Sequence, residues 1–216
     1  MTLGNLLIFG DSYSTYEGYI PEGYACYYIK NREEDSPHAR VSDVRLTWWW
    51  RLTEATGSTL VENNSWSGST IGYTGYNGAD CSATSSFLTR LEKRGSEGFF
   101  EKNRIDTVIV FGGTNDSWSG APLGEARLDG ASKEERYFVL PAIGEMARLL
   151  RKILPSARVI FLGNCGIKTE ITDAMAKACL RYGHTYIGLT DIDKRGAHPT
   201  ELGMRQIFEE IMAALA

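Results

Sequence analysis

The stretch NLLIFGDSY, residues 5–13, decides the fold of this chain. Its first part, Leu6 to Phe9, is a continuous apolar run that is typical of a buried strand. Gly10, Asp11 and Ser12 follow at once, and the glycine permits a tight turn that leaves the serine at the end of the strand. A serine placed there is a candidate nucleophile. Alone, however, such a triplet is more often a plain turn or a helix N-cap.

Along the rest of the chain, short apolar runs alternate with segments whose apolar residues have helical spacing. The apolar runs predict five strands, at residues 6–9, 59–61, 107–111, 159–162 and 186–189. Most runs are continuously apolar, as in a parallel sheet covered on both faces. Apolar spacing and end signals predict helices at residues 47–56, 86–94, 134–154 and 170–182, and a last helix with Pro199 in its first turn. We therefore predict a three-layer α/β/α, doubly wound, flavodoxin-like fold with a five-stranded parallel sheet in the order 2-1-3-4-5.

The composition narrows the class of protein. A length of 216 residues with 43% hydrophobic and 23% charged residues fits one domain over residues 1–216, with a tyrosine-rich insertion at about 13–42. The net charge is −4 and the basic residues are scattered, so we expect no nucleic-acid partner. No signal peptide or membrane span is evident, which favours a cytoplasmic protein with no membrane partner. The four cysteines form no Cys-x-x-Cys pair, and no metal site is predicted.

Polar residues follow the strands at the edge where such sheets bind ligands. Ser12 follows the first predicted strand, Gly68 lies after the second, and Asn115 lies after the third. Because these three strands are neighbours in the predicted order, we expect the three residues to converge. His198, beyond the fifth strand, must reach in from the loop before the last helix.

Four short blocks in this order resemble the SGNH (GDSL-type) hydrolases. The blocks are Gly10-Asp11-Ser12, Ser67-Gly68, Gly113-Thr114-Asn115-Asp116 and His198-Pro199. The resemblance implies that Ser12 is the nucleophile and His198 the base. It also implies an oxyanion hole made by the backbone N–H groups of Ser12 and Gly68 and the Asn115 side chain. Prearranged donors of this kind stabilise the charge that develops on an attacked carbonyl, and neither a metal nor a cofactor is required.

The chain departs from the family pattern at the acid that orients the histidine. Arg195 stands where the family usually has an aspartate, three residues before His198. We predict that Asp193 orients the imidazole instead. Asp191 and a backbone carbonyl are the alternatives, and a carbonyl would leave a serine–histidine dyad.

Aromatic residues near the four blocks are the candidates for binding substrate. Trp66 and Trp118 lie in loops at the predicted site, and Tyr13 and Asp11 flank Ser12. The tyrosines of residues 13–41 could stack on sugar rings or could simply pack their loop onto the domain.

These observations predict a serine esterase that forms an acyl-enzyme on a small-molecule or oligosaccharide ester. Resemblance to family members that deacetylate sugars favours a carbohydrate O-acetylesterase. A broad short-chain esterase or thioesterase, a lipase, and a non-catalytic carbohydrate-binding protein on the same scaffold are the alternatives. A homodimer is expected only from the frequency of twofold assemblies.

Overall fold

A five-stranded parallel sheet forms the centre of the molecule. The computed structural model describes residues 2–33 and 36–216. The strands are β1 (Asn5–Gly10), β2 (Thr59–Ser65), β3 (Thr107–Gly112), β4 (Arg158–Gly163) and β5 (Thr185–Gly188). All neighbours are parallel and the order is β2-β1-β3-β4-β5, which confirms the predicted topology.

Helices cover both faces of this sheet. They are α1 (Trp48–Thr56), α2 (Phe87–Ser96), α3 (Phe99–Lys102), α4 (Thr114–Trp118), α5 (Val139–Ile153), α6 (Thr169–Tyr182) and α7 (Glu201–Leu215). Alternate residues of β1 point to two separate cores: Leu6 and Ile8 pack with α1 and α7, whereas Leu7 and Phe9 pack with α2, α5 and α6. Burying each such side chain contributes roughly 1.5–3 kcal/mol. Among the described residues, no helix combines the length and the apolar character needed to cross a membrane.

Two helix starts differ from the sequence predictions. The last helix begins at Glu201, not in the turn containing Pro199, because the Thr200 side chain caps it by accepting a hydrogen bond from Gly203 N at 3.2 Å. The helix predicted at 134–154 begins at Val139, since Phe138 before it is extended (φ −103°, ψ 139°). Helix α1 agrees closely with its prediction and ends at Gly57, which adopts the left-handed conformation at φ 61°.

Strand β2 extends four residues beyond the predicted apolar run, through Asn63, Asn64 and Ser65. These three polar residues are buried, and partners inside the fold satisfy them. Asn63 Nδ2 donates to the Ser14 carbonyl at 2.7 Å, and Ser65 Oγ donates to Asn63 Oδ1 at 2.5 Å. The polar end of β2 therefore lies beside the turn that carries Ser12.

A small antiparallel hairpin before α7 was not predicted. Its strands are β6 (Lys194–Arg195) and β7 (His198–Pro199), with Arg195 paired to His198. The two turn residues, Gly196 and Ala197, have φ values of 55° and 65°, as a type I′ turn requires. This hairpin places His198 beside the carboxyl end of β1.

Candidate active site

Ser12 lies immediately beyond the carboxyl end of β1. Gly10 is required there, because a Cβ atom would lie 2.4 Å from Ser65 Oγ and 2.6 Å from Ser14 Cβ. Asp11 then caps a short 3₁₀ turn, Ser12–Ser14, by accepting a hydrogen bond from Tyr13 N at 3.0 Å. The turn holds Ser12 with only 4% of its surface exposed.

His198 contacts this serine directly. Its Nε2 atom lies 2.9 Å from Ser12 Oγ, although the residues are 186 positions apart. Two tyrosines support the hairpin that carries the histidine: Tyr13 Oη donates to the Ala197 carbonyl at 2.6 Å, and Tyr28 Oη donates to the Pro199 carbonyl at 2.7 Å. The pair has the geometry that proton transfer from a serine hydroxyl to an imidazole requires.

The structure corrects the prediction for Asp193. The Nδ1 atom of His198 lies 3.0 Å from the Gly196 carbonyl, which orients the ring. The Asp193 carboxylate instead accepts a hydrogen bond from Thr200 Oγ1 at the start of α7, and its backbone N donates to Gln206 Oε1. The tight hairpin turns the Gly196 carbonyl toward the imidazole, so the arrangement is the dyad alternative.

We expect Asp193→Ala to change kcat/KM by no more than about threefold, because its carboxylate does not touch His198. The loss should appear in stability, as a small decrease in the melting temperature from the weakened start of α7. Steady-state ester hydrolysis and thermal unfolding of the same preparation test both parts. A fall in kcat of a hundredfold or more would show that Asp193 acts on the histidine.

Gly68 and Asn115 lie where the strand order predicts. Gly68 follows β2 in the left-handed conformation, at φ 81°, and its own surface is exposed. Asn115 is in the first turn of α4; its Nδ2 donates to the Ser69 carbonyl at 2.9 Å and its Oδ1 accepts from Tyr76 Oη at 2.9 Å. An amide nitrogen carries two N–H donors, so one remains for a substrate oxygen.

Asp116 ties the loop after β2 to α4. Its carboxylate accepts hydrogen bonds from the backbone N–H groups of Ile71, at 3.0 Å, and Gly72, at 3.2 Å. Complete burial raises the pKa of this carboxyl to about 6, and the two backbone bonds oppose that shift. Asp116 therefore joins the loop that carries Gly68 to the helix that carries Asn115.

For two of the four residues predicted to bind substrate, burial contradicts the prediction. Asp11 and Tyr13 have no exposed surface. Asp11 caps the serine turn, and burial raises the pKa of its carboxyl to about 7. Tyr13 packs behind the histidine, with ring centroids 5.5 Å apart. Trp118 is 40% exposed, and Trp66 is half-buried against Tyr24 at a centroid distance of 4.3 Å.

Sequence reasoning missed a buried arginine behind the site. The Arg90 side chain donates to the carbonyl oxygens of Gly10, Asn64 and Ser85 and to Ser69 Oγ. Burial lowers its pKa to about 9. Arg90 sits in an amphipathic helix, and only tertiary contacts show that it points inward to join the ends of β1 and β2.

The acid side of the pH–activity profile should follow His198. Desolvation by burial lowers the pKa of its imidazole below the ordinary value of 6.5. The hydrogen bond to the Gly196 carbonyl opposes this shift, and the charges of His38, Arg32 and Lys194 lower the pKa further. A base must be neutral to accept the Ser12 proton, so activity is present above this pKa and is lost as the pH falls through it. We expect kcat/KM to reach half its maximum below pH 6.5.

The variant Arg32→Met tests whether that limb belongs to His198, because the Arg32 charge lowers the pKa of His198, whereas the main causes of the Asp11 and Asp116 shifts do not include Arg32. The limb should move to higher pH in the variant. A wild-type limb above pH 6.5 would contradict the prediction.

Comparisons with known proteins agree with this fold. The family model of the GDSL-like lipases/acylhydrolases matches residues 4–215. Two solved structures, each described as a GDSL-like lipase, have a TM-score of 0.88. One, from Bacteroides ovatus, is 36% identical, with 100% of this chain and 99% of that chain covered. The other, from Bacteroides uniformis, is 38% identical, with 98% and 95% covered.

An acetyl xylan esterase from Butyrivibrio proteoclasticus shares the fold, with a TM-score of 0.62, 18% identity, and coverage of 100% of this chain and 64% of that chain. A comparison with curated proteins found no match.

The parallel sheet and its serine–histidine pair define an α/β/α hydrolase scaffold. The chain belongs to the GDSL-like lipase/acylhydrolase family.

Proposed function

We propose that the protein is a serine esterase that removes short acyl groups, above all O-acetyl groups, from carbohydrates. The observation that carries the esterase proposal is the 2.9 Å contact between Ser12 Oγ and His198 Nε2. It lies at the carboxyl end of β1, and we propose Gly68 and Asn115 as the oxyanion donors.

The reaction proceeds in two halves. His198 Nε2 takes the hydroxyl proton as Ser12 Oγ forms a bond to the ester carbonyl carbon, and the resulting oxyanion is bound by the Ser12 and Gly68 N–H groups and the Asn115 amide. Collapse breaks the bond to the alcohol oxygen, which takes the proton from His198. Water then repeats the sequence on the acyl-enzyme, releasing the carboxylic acid and restoring Ser12.

The cavity beside Trp66 supports a carbohydrate as the alcohol. Its volume is about 300 Å³, and its lining combines the adjacent Tyr24 and Trp66 rings with Thr84, Thr89 and Lys93. Aromatic faces with hydroxyl and charged groups around them suit a sugar ring better than a fatty chain. Trp66 N donates to the Gly10 carbonyl at 3.1 Å, which keeps this aromatic pair at the edge of the sheet that carries Ser12. The structural neighbour that acts on acetylated xylan has the same fold.

A fluorophosphonate probe tests the nucleophile. Attack by Ser12 Oγ forms an O–P bond and expels fluoride, so wild type should be labelled once, on the peptide containing Ser12. Ser12→Ala should not be labelled, whereas Ser14→Ala should be labelled like wild type. Absence of labelling in wild type would overturn the esterase proposal.

Rates on p-nitrophenyl esters from acetate to octanoate, and on an acetylated xylo-oligosaccharide, test the substrate class. We expect activity to fall with chain length and to extend to the saccharide. A preference for long chains would indicate a lipase or thioesterase instead. No turnover, with saccharide affinity unchanged in Ser12→Ala, would indicate a binding protein.

Trp66→Ala should lower kcat/KM for the saccharide by about tenfold, the size of one lost aromatic contact. Its activity on p-nitrophenyl acetate, which has no sugar to stack, should stay within about twofold of wild type and serves as the control. Equal losses on both substrates would show that Trp66 supports the site and not the sugar.

A further inference from the structure

Tyr27 covers one face of the His198 imidazole. The two rings are stacked with their centroids 3.6 Å apart and their planes 8° from parallel. Both side chains are half-buried. Of the aromatic contacts of His198 within residues 2–33 and 36–216, this is the closest and the most nearly parallel; Tyr13 is tilted by 55° at 5.5 Å.

Tyr27 is itself held in place from several sides. Its hydroxyl accepts a hydrogen bond from Ala39 N at 3.2 Å, and the Arg32 guanidinium lies 4.8 Å from its ring centroid. Arg32 also donates to the Tyr27 carbonyl. These contacts restrain the ring, so it presents a defined surface to the histidine.

One hydroxyl joins Tyr27 to the serine turn. Thr15 Oγ1 donates to the Ser12 carbonyl at 3.0 Å and accepts from Tyr27 N at 2.9 Å. The backbone segments that carry the nucleophile and the stacked ring therefore share a hydrogen-bonded atom. These two hydrogen bonds therefore fix the position of the Tyr27 backbone relative to the Ser12 backbone.

The imidazole needs such a restraint because its other orienting contact is weak. In a catalytic triad a carboxylate holds the ring with a charge-assisted hydrogen bond. Here Nδ1 meets a neutral carbonyl, that of Gly196, and a single bond leaves the ring free to tilt about its axis. The terminal torsion of a histidine side chain is also broad. A parallel ring at 3.6 Å blocks tilting toward that side.

We propose that Tyr27 is a positioning residue that clamps the His198 ring in the plane from which Nε2 reaches Ser12 Oγ, supplying orientation that a carboxylate supplies in a triad. The inference rests on the proposed esterase function. Misplacement of a reacting group by about 1 Å can cost a hundredfold in rate. The ring face performs this role, and the hydroxyl only anchors the ring.

The test compares Tyr27→Phe, Tyr27→Leu and Tyr27→Ala on p-nitrophenyl acetate. The Phe variant keeps the stacking face and should stay within about threefold of wild type. Leu keeps apolar volume without a flat ring, and both Leu and Ala should lower kcat by 10- to 100-fold with KM changed by less than about twofold. Tyr19→Ala is the matched control, because Tyr19 belongs to the same segment but its ring packs against Trp49 and Trp50.

The pH profile supplies a readout that a merely structural role would not move. Removing the ring and its volume exposes the imidazole to water, so the acid limb of kcat/KM should shift to higher pH in the Ala variant and stay unchanged in Phe and Tyr19→Ala. Melting temperatures check that each variant is folded. If Ala does not fold, the Leu and Phe pair decides the outcome.

Two results would overturn the inference: wild-type kcat in the Leu variant, or equal losses in Phe and Leu, which would assign the effect to the hydroxyl. Failure of the proposed function looks different, because wild type itself would then show neither ester hydrolysis nor labelling of Ser12. If wild type is active and labelled on Ser12 and the Leu variant is fully active, the positioning role of Tyr27 is rejected and the proposed function stands.

Discussion

Replacing Ser12 with alanine should lower kcat for ester hydrolysis by about 10⁴-fold or more. The substitution removes one oxygen atom, and with it the group that forms the acyl-enzyme in the proposed reaction. Ser12 is nearly buried, and His198 Nε2 lies 2.9 Å from its hydroxyl. The remaining donors would still bind the carbonyl oxygen, so KM should change little. Initial rates on p-nitrophenyl acetate at enzyme concentrations high enough to detect the residual activity measure the effect.

Ser14→Ala is a closely matched control for this experiment. Ser14 lies in the same 3₁₀ turn and is fully buried, and its hydroxyl has no hydrogen-bond partner among the described residues. Alanine keeps its Cβ atom, and the Ser14 carbonyl still accepts from Asn63. Activity in Ser14→Ala should stay within about twofold of wild type. Comparable losses in the two variants would indicate damage to the turn, and wild-type activity in Ser12→Ala would remove Ser12 as the nucleophile.

The second large effect is expected at Asn115. Asn115→Ala should lower kcat by about 10²- to 10³-fold, because it removes the side-chain donor that we propose for the charge that develops on the carbonyl oxygen. That charge is small in the bound ester and large in the transition state, so kcat should carry the loss and KM should not. Steady-state kinetics over the same substrate range as wild type separate the two constants.

The variant Tyr76→Phe tests the Asn115 amide separately from the tyrosine that holds it. The Tyr76 hydroxyl donates to Asn115 Oδ1 at 2.9 Å and does not belong to the proposed set of oxyanion donors. Its removal should cost less than about tenfold, because the Asn115 amide keeps its bond to the Ser69 carbonyl. A larger loss in Tyr76→Phe than in Asn115→Ala would show that the tyrosine, and not the amide, faces the substrate.

The strand-based predictions depend on local patterns and on one topological rule. Continuous apolar runs such as residues 6–9 and 107–111 can be buried only in a sheet covered on both faces, and the predicted order of five strands is confirmed. Parallel strands share a carboxyl edge, which is why Ser12, Gly68 and Asn115 could be assigned to one region before any contact was known.

Local patterns did not reveal the small hairpin at residues 194–199. Its strands are two residues long, too short for any periodicity. Because of the hairpin, the Gly196 carbonyl is the hydrogen-bond partner of His198 Nδ1. Distance along the sequence instead favoured Asp193, the nearest acidic residue before the histidine. The structure instead places the Asp193 carboxylate on Thr200.

By itself, the sequence determined the α/β/α fold, the order of the sheet and the four blocks that carry Ser12, Gly68, Asn115 and His198. Hydrophobic periodicity and short motifs encode these features within a few neighbouring residues. Only the tertiary structure decided that Asp11 and Tyr13 are buried, that Arg90 joins the ends of β1 and β2, and that Tyr27 stacks on His198. Those features depend on side chains that are distant in sequence and meet only when the chain has packed, so neither spacing nor composition records them.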